Sequence, residues 1–375
     1  MTIPRTPPAA PPKRAYLTIQ ALRFLAALMV VVVHSTFYSH ERLTAAMPVY
    51  SEGANGVRLF FVISGFVMIV ASQKLIGEAG GWRVFALRRI LRIVPLYWLI
   101  LSIKAVVLIF TTGLVLHAKL DWAVVWKSFL FIPAYNADGA IEPLLGVGWT
   151  LNFEMFFYLL FTITLLARLR PLVTLAPVLV MFALLGLVRD AGWPVPLYYY
   201  SNPIVLDFLA GMAIATWAAR ERTLPEWSGW LLAGAGLFYL FVPLPHTPLP
   251  FVNSLLITLA AAAVVLAAVV LEGRIGHRVP RFAVFMGAAS YSLYLIHPLV
   301  APVTPQLFAK VGLMLPSLAV VGSIVSALVA GALCYRFVEL PISDRLDRAT
   351  RHRRWFSTTP RDSVRRPVGY GAETK

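Results

Sequence analysis

The sequence predicts an all-α integral membrane protein of about ten transmembrane helices with both termini cytoplasmic. Three observations predict it. Of 375 residues, 59% are hydrophobic and only 13% charged, where a soluble domain carries about 25% charge, and mean hydropathy is +0.75. The apolar residues fall into blocks near membrane-spanning length. The basic residues gather on alternate short connections, the positive-inside pattern. The net charge of +16 is therefore a mark of topology, and no nucleic acid is implied. The single cysteine, Cys334, sits inside an apolar run. That excludes disulfides and Cys-ligated metal, and no metal site is expected.

Taken in order, residues 1–14 are Pro-rich and basic and read as a disordered cytoplasmic tail. The first span covers about 16–37, too long for a signal-peptide core and with no small-residue cleavage site after it, so it is expected to be retained. Span two is about 56–73, followed by a basic connection with Lys74, Arg83, Arg88, Arg89 and Arg92. Span three is about 92–112. The longest external loop runs from Gly113 to Gly148 and carries Trp122 and Trp126, residues suited to a membrane interface. Further spans are expected at about 149–167, 172–188, 201–219, 228–243, 252–271, 283–303 and 315–337. Residues 15–345 would form one membrane domain, and the Arg-rich segment 346–375 a second disordered cytoplasmic tail. No internal repeat stands out.

The first span organises the rest. It is apolar except for Arg23 and His34, eleven residues apart. Eleven helical steps make three turns plus roughly 20°, so both leave one face, roughly 16 Å apart along the axis. A charge in a membrane helix costs at least about 2.5 kcal/mol, which makes an intramembrane arginine a functional candidate. The topology puts His34, Glu154, Arg58 and His297 at one level near the outer face, with Trp149 and Asn152 beside them. Arg23 points below them to Arg88, Arg89 and Arg92. This outlines an anion-binding cluster, a shaft and an acid/base cluster. Arginine suits phosphate, and a carboxylate such as Glu154 beside His34 would fix the tautomer of a general base. No activated Ser or Cys nucleophile stands out, so a hydroxyl deprotonated by His34 would attack an acyl group directly.

Plainer readings stand beside these. Arg88, Arg89 and Arg92 also serve as topology determinants. His297, before Pro298, fits a helix-end histidine at a kink. Glu154 and Arg58 fit a pair that makes two charges tolerable in a bilayer. Asp207 fits a cap or interfacial residue, Gly65 a close helix contact, and Lys104 has no account beyond snorkelling or pairing.

Four stretches carry a family resemblance: IQALRFLAALMVVVVHS with Arg23 and His34, EGANGVRLFFVISGFVM, RRILRIVPLYW with Arg89 and Arg92, and GVGWTLNFEMFFY with Glu154. The late YSLYLIHPL, with His297, adds a fifth. In order and spacing they resemble the membrane-bound acyltransferase family 3, which includes O-acetyl- and succinyltransferases of exopolysaccharides, O-antigens and lipo-oligosaccharides. The resemblance covers about residues 15–345. It implies a ten-span fold in the bacterial inner membrane, a cytosolic acyl-CoA donor and a glycan hydroxyl acceptor, with polysaccharide synthesis machinery as a partner. His34 would be the catalytic base, and Arg23, Arg89 and Arg92 would serve the donor. No cofactor is held permanently; acyl-CoA, acetyl-CoA first, is a co-substrate. Arg58 stands where many relatives carry Asp, which keeps a carboxylated acyl group such as succinyl in view. The soluble acyltransferase signature His-x-x-x-x-Asp is absent, His117 to Asp121 being one residue short. The competing function is a transporter or flippase of an anionic lipid-linked glycan along the same Arg/His/Glu path, against which stands the lack of an inverted repeat.

Overall fold

The computed structural model describes residues 16–110, 121–220, 222–245 and 247–351. The tail expected at 1–14, part of the loop from Gly113 and residues 352–375 lie outside them, as does His117. The described chain is almost entirely helical, with one isolated bridge between Tyr135 and Ile141. Six segments are long and apolar enough to cross a membrane. They are α1 (Leu17–Arg42), α2 (Gly56–Ser72) with its leading 3₁₀ turn, α3 (Gly81–Phe110), α5 (Trp149–Leu166) with its 3₁₀ turn, α10 (Pro250–Ile275) and α14 (Pro316–Cys334). The remaining expected spans take other forms. α6 (Pro171–Leu185) and α8 (Val205–Ala218) are short apolar helices, and α9 (Glu226–Phe241) is 16 residues long. The span expected at 283–303 is broken. α11 (Arg281–Ala288) meets α12 (Ser290–Val300) and α13 (Val303–Lys310) at a 72° bend. The chain is thus a multi-pass membrane protein. α15 (Leu340–Arg351) carries helix past the expected domain end.

α1 is the central helix, touching α2, α10, α11, α12 and α14. Its first N–H groups have no partner within the helix. Glu272 of α10 takes that role, accepting from the Leu17 and Thr18 amides at 2.9 and 3.0 Å and from the Thr18 hydroxyl. A carboxylate at a helix N-terminus also opposes the dipole. This clamp fixes where Arg23 and His34 sit.

α2 and α8 approach most closely, as small residues in membrane helices allow. A side chain at Gly65 would overlap the Phe208 carbonyl, and one at Gly211 the Val62 carbonyl. The close-contact reading of Gly65 therefore holds. On α4 (Trp122–Phe129) the two tryptophans are exposed, at 57% and 66%. Prolines inside α3 and α12 each remove one helical hydrogen bond. In α3, Tyr291 donates to the Ile93 carbonyl at 2.7 Å, two residues before Pro95.

Candidate active site

His34 lies two-thirds of the way along α1, and its ring lines a cavity of about 390 Å³ with Arg58, Trp149, Asn55 and Tyr294. Its Nδ1 is 2.8 Å from the Val30 carbonyl, and a carbonyl only accepts, so Nδ1 carries the proton. The same Nδ1 lies 3.4 Å from Nε2 of His297. His297 is fully buried, and its own Nδ1 meets the Leu293 carbonyl at 3.2 Å. That leaves His297 Nε2 as a lone pair facing the His34 N–H. His34 Nε2 is then the unprotonated nitrogen, with no protein partner among the described residues. The local sequence explains the pairing: Pro298 lacks an N–H, which frees the Tyr294 carbonyl, and the His297 ring fills that turn. His297 sits in the last turn of α12, which ends at Val300, so the helix-end position holds and the ring is paired there with His34.

The expected partnership of His34 with Glu154 does not form. Among the described residues no hydrogen bond or ion pair joins them. Glu154 accepts from the Tyr158 hydroxyl and from Ser64 Oγ at 3.2 Å. The reason is depth: α5 begins at Trp149, so Glu154 is more than one turn inside and reaches the arginine level rather than the histidine level. The His34 tautomer is held by a backbone carbonyl and a second histidine instead.

The expected pairing of Arg58 with Glu154 is also corrected. Arg58 Nε is 2.7 Å from Asp207 Oδ2. The guanidinium further donates to Ser254 Oγ at 3.0 Å, the Ser254 carbonyl at 2.7 Å and Thr258 Oγ1 at 2.7 Å. Asp207, fully buried, is a counter-ion and not a cap or an interfacial residue. The tight α2–α8 contact brings the two together, and such a buried charge is retained only when paired and hydrogen-bonded.

At the other level, the ionisable groups close enough to act on Arg23 are Arg92, Glu339, Glu154 and the Tyr158 phenol. Among the described residues Arg23 makes one hydrogen bond, donating to Gln20 Oε1 at 3.3 Å. Arg89 stacks over Phe85 and Tyr158, at 5.4 and 5.5 Å from the ring centres. Arg23, Arg89, Arg92 and Glu154 thus converge on Tyr158, while Arg88 leaves α3 about 100° round from Arg89. Neither Arg23 nor Arg92 has a carboxylate within ion-pair distance among the described residues, although Glu339 and Glu154 lie close enough to act on both. Glu339 accepts from Ser292 at 2.6 Å and ends a π-helical turn, Tyr335–Glu339, a distortion common at functional sites.

Trp149 lines the His34 cavity as expected. Asn152 does not; it is 1% exposed and packed beneath Tyr199 and Tyr200. Lys104 has Glu142 as the carboxylate acting on it. Sequence reasoning missed Tyr158, Glu339 and the engagement of Asp207. Tyr158 was legible as the i+4 neighbour of Glu154. Glu339 lies just beyond the last expected span, which ends at 337, so its sequence position alone carries no mark of an intramembrane charge. Among the described residues no three metal-ligating side chains converge.

The chain matches the family described as acyltransferase domain over residues 16–336. It is 32% identical over 302 residues to the exopolysaccharide production protein ExoZ of Rhizobium meliloti (strain 1021), an alignment covering 79% of this chain and 91% of that relative. No solved structure matches it.

Proposed function

The chain belongs to this acyltransferase family, and on that premise we propose that it transfers an acyl group from acyl-CoA to a saccharide hydroxyl in exopolysaccharide production. The observation that carries the reading is the His34 ring: Nδ1 is committed to Val30, and the ring lines a cavity large enough for a reacting group. His34 Nε2 takes the proton of the acceptor hydroxyl as its oxygen bonds to the thioester carbonyl carbon. The carbon–sulfur bond then breaks, and the thiolate leaves as CoA-SH with the proton from His34. Family membership favours transfer over the translocation reading of the same path.

The donor's phosphates are assigned to Arg23, Arg89 and Arg92, with Arg88 at the approach. A guanidinium pair with no direct carboxylate ion pair among the described residues suits a polyanion. Arg23 and His34 are roughly 16 Å apart along α1, a gap bridged by the donor's extended arm. Arg58 already has its counter-ion in Asp207, which favours acetyl over a carboxylated acyl group. The setting is the bacterial inner membrane, with residues 15–345 as the transferase domain of about ten spans. Both termini are cytoplasmic and polysaccharide synthesis machinery lies nearby.

The test is thiol release by detergent-purified protein given acetyl-CoA or succinyl-CoA with membrane glycans. Glycan-dependent release that falls about 10²–10⁴-fold in His34→Ala is expected. Undiminished transfer by a folded His34→Ala protein overturns the assignment of the base.

A further inference from the structure

A second cavity, of about 340 Å³, shares Trp149 with the His34 cavity. Three segments build it: the loop before α5, the start of α5 with Trp149 and Phe153, and the stretch from Arg189 through α7 (Val195–Tyr200) to Asn202. Each is fixed. The loop closes on itself through the Tyr135–Ile141 bridge, and Asn136 Oδ1 accepts from the amides of Asp138 and Ala140 at 3.0 and 2.9 Å. Tyr199 donates to the Trp149 carbonyl at 2.6 Å and stacks on Phe153 at 4.7 Å. The cavity is therefore preformed, which lowers the ordering needed on binding.

Its lining mixes aromatic surface with unspent donors. Trp149 and Tyr135 border it, and Tyr135 is 45% exposed. The Arg189 guanidinium lies over the Tyr198 ring at 5.0 Å, and no hydrogen bond or ion pair engages it among the described residues. Asn202 spends its side-chain oxygen on the Ile204 amide, which leaves its NH₂ to donate. Aromatic walls with a few convergent polar groups are the pattern of a small-molecule site. A lipid chain would meet needless donors here, and a bare phosphate would have one cation. A sugar ring fits both features, with C–H faces for the aromatics and oxygens for Arg189 and Asn202.

We propose that this cavity is an acceptor subsite, binding the sugar ring next to the one acylated in the His34 cavity, with Trp149 as the wall between the two. This rests on the acyl-transfer reading for its substrate class, and it names where the rest of the glycan lies. It also assigns specificity: longer saccharides bind better than the single sugar because they fill both cavities.

The experiment measures binding without donor, in nanodiscs of neutral lipid and again with anionic lipid. The probes are size-fractionated, end-labelled oligosaccharides from the exopolysaccharide of the organism that carries the chain, alongside its monosaccharides. Arg189→Ala and Tyr135→Ala, both at exposed positions, are expected to raise the oligosaccharide Kd about tenfold and to leave monosaccharide Kd unchanged. Equal affinity in variants and wild type, equal losses for both probe sizes, or losses that follow the anionic lipid overturn the subsite. Thiol release on the same preparations separates the two ideas. Binding that depends on Arg189 without any thiol release keeps the subsite and removes the transfer; release with Arg189-independent binding does the reverse.

Discussion

The residue scale turns on two histidines 3.4 Å apart. A base that gains a proton gains charge, and its second nitrogen must then donate more strongly. His34 Nδ1 has two acceptors for that moment, the Val30 carbonyl and the His297 lone pair. His297 is thus a positioning residue in the proposed mechanism. His297→Ala is expected to lower kcat by about 10–100-fold, the effect of losing one hydrogen bond to a charged group. The KM for the acyl donor should not move, because the arginine cluster is untouched. His297→Gln, which restores an acceptor oxygen, should recover part of the loss in steady-state kinetics. An Ala variant with wild-type kcat would reduce His297 to a packing residue.

At the scale of elements, the close α2–α8 contact carries the buried Arg58–Asp207 pair. Breaking one partner of such a pair typically costs about 3–5 kcal/mol, because it leaves an uncompensated charge. Asp207→Asn should therefore unfold at lower temperature in detergent than the native protein. Replacing both residues with apolar ones, Arg58→Met with Asp207→Leu, should restore much of the loss. A single variant as stable as wild type would mean that Ser254 and Thr258 satisfy the guanidinium alone. The α5 helix teaches a related point. Its start at Trp149 set the depth of Glu154, and a shift of one turn, about 5.4 Å, would have put that carboxylate elsewhere.

For the whole molecule, function depends on sidedness. The basic residues expected on a connection up to Arg92 lie mostly on α3 itself, which starts at Gly81 rather than 92; positive-inside counting puts that end of α3 in the cytoplasm and the loop before α5 outside. Single cysteines at Glu78 and Asp138, both exposed, report on the two sides. Membrane-impermeant maleimide should label Asp138→Cys on intact cells and Glu78→Cys only after the membrane is opened. Native Cys334, 6% exposed, should stay silent. Labelling of Glu78→Cys on intact cells, with Asp138→Cys labelled only after the membrane is opened, would reverse the orientation and put the arginine cluster on the wrong side for cytosolic acyl-CoA.

By itself the sequence determined the helical membrane class, the central role of α1 and the identities of Arg23, His34, Arg89, Arg92 and Glu154 as the residues to explain. Those follow from local facts: block hydropathy, the helical period and the expense of charge in a bilayer. Family motifs added the chemistry. Tertiary structure decided who partners whom. Glu154 went to Tyr158 rather than His34, Arg58 to Asp207 rather than Glu154, and His34 to His297. It also broke the span expected at 283–303 and left several others short. The physical reason is that a sequence fixes the angle and rise of each side chain on its own helix. The register between helices is set by small residues such as Gly65 and Gly211, the contacts they admit, and a distant cap such as Glu272.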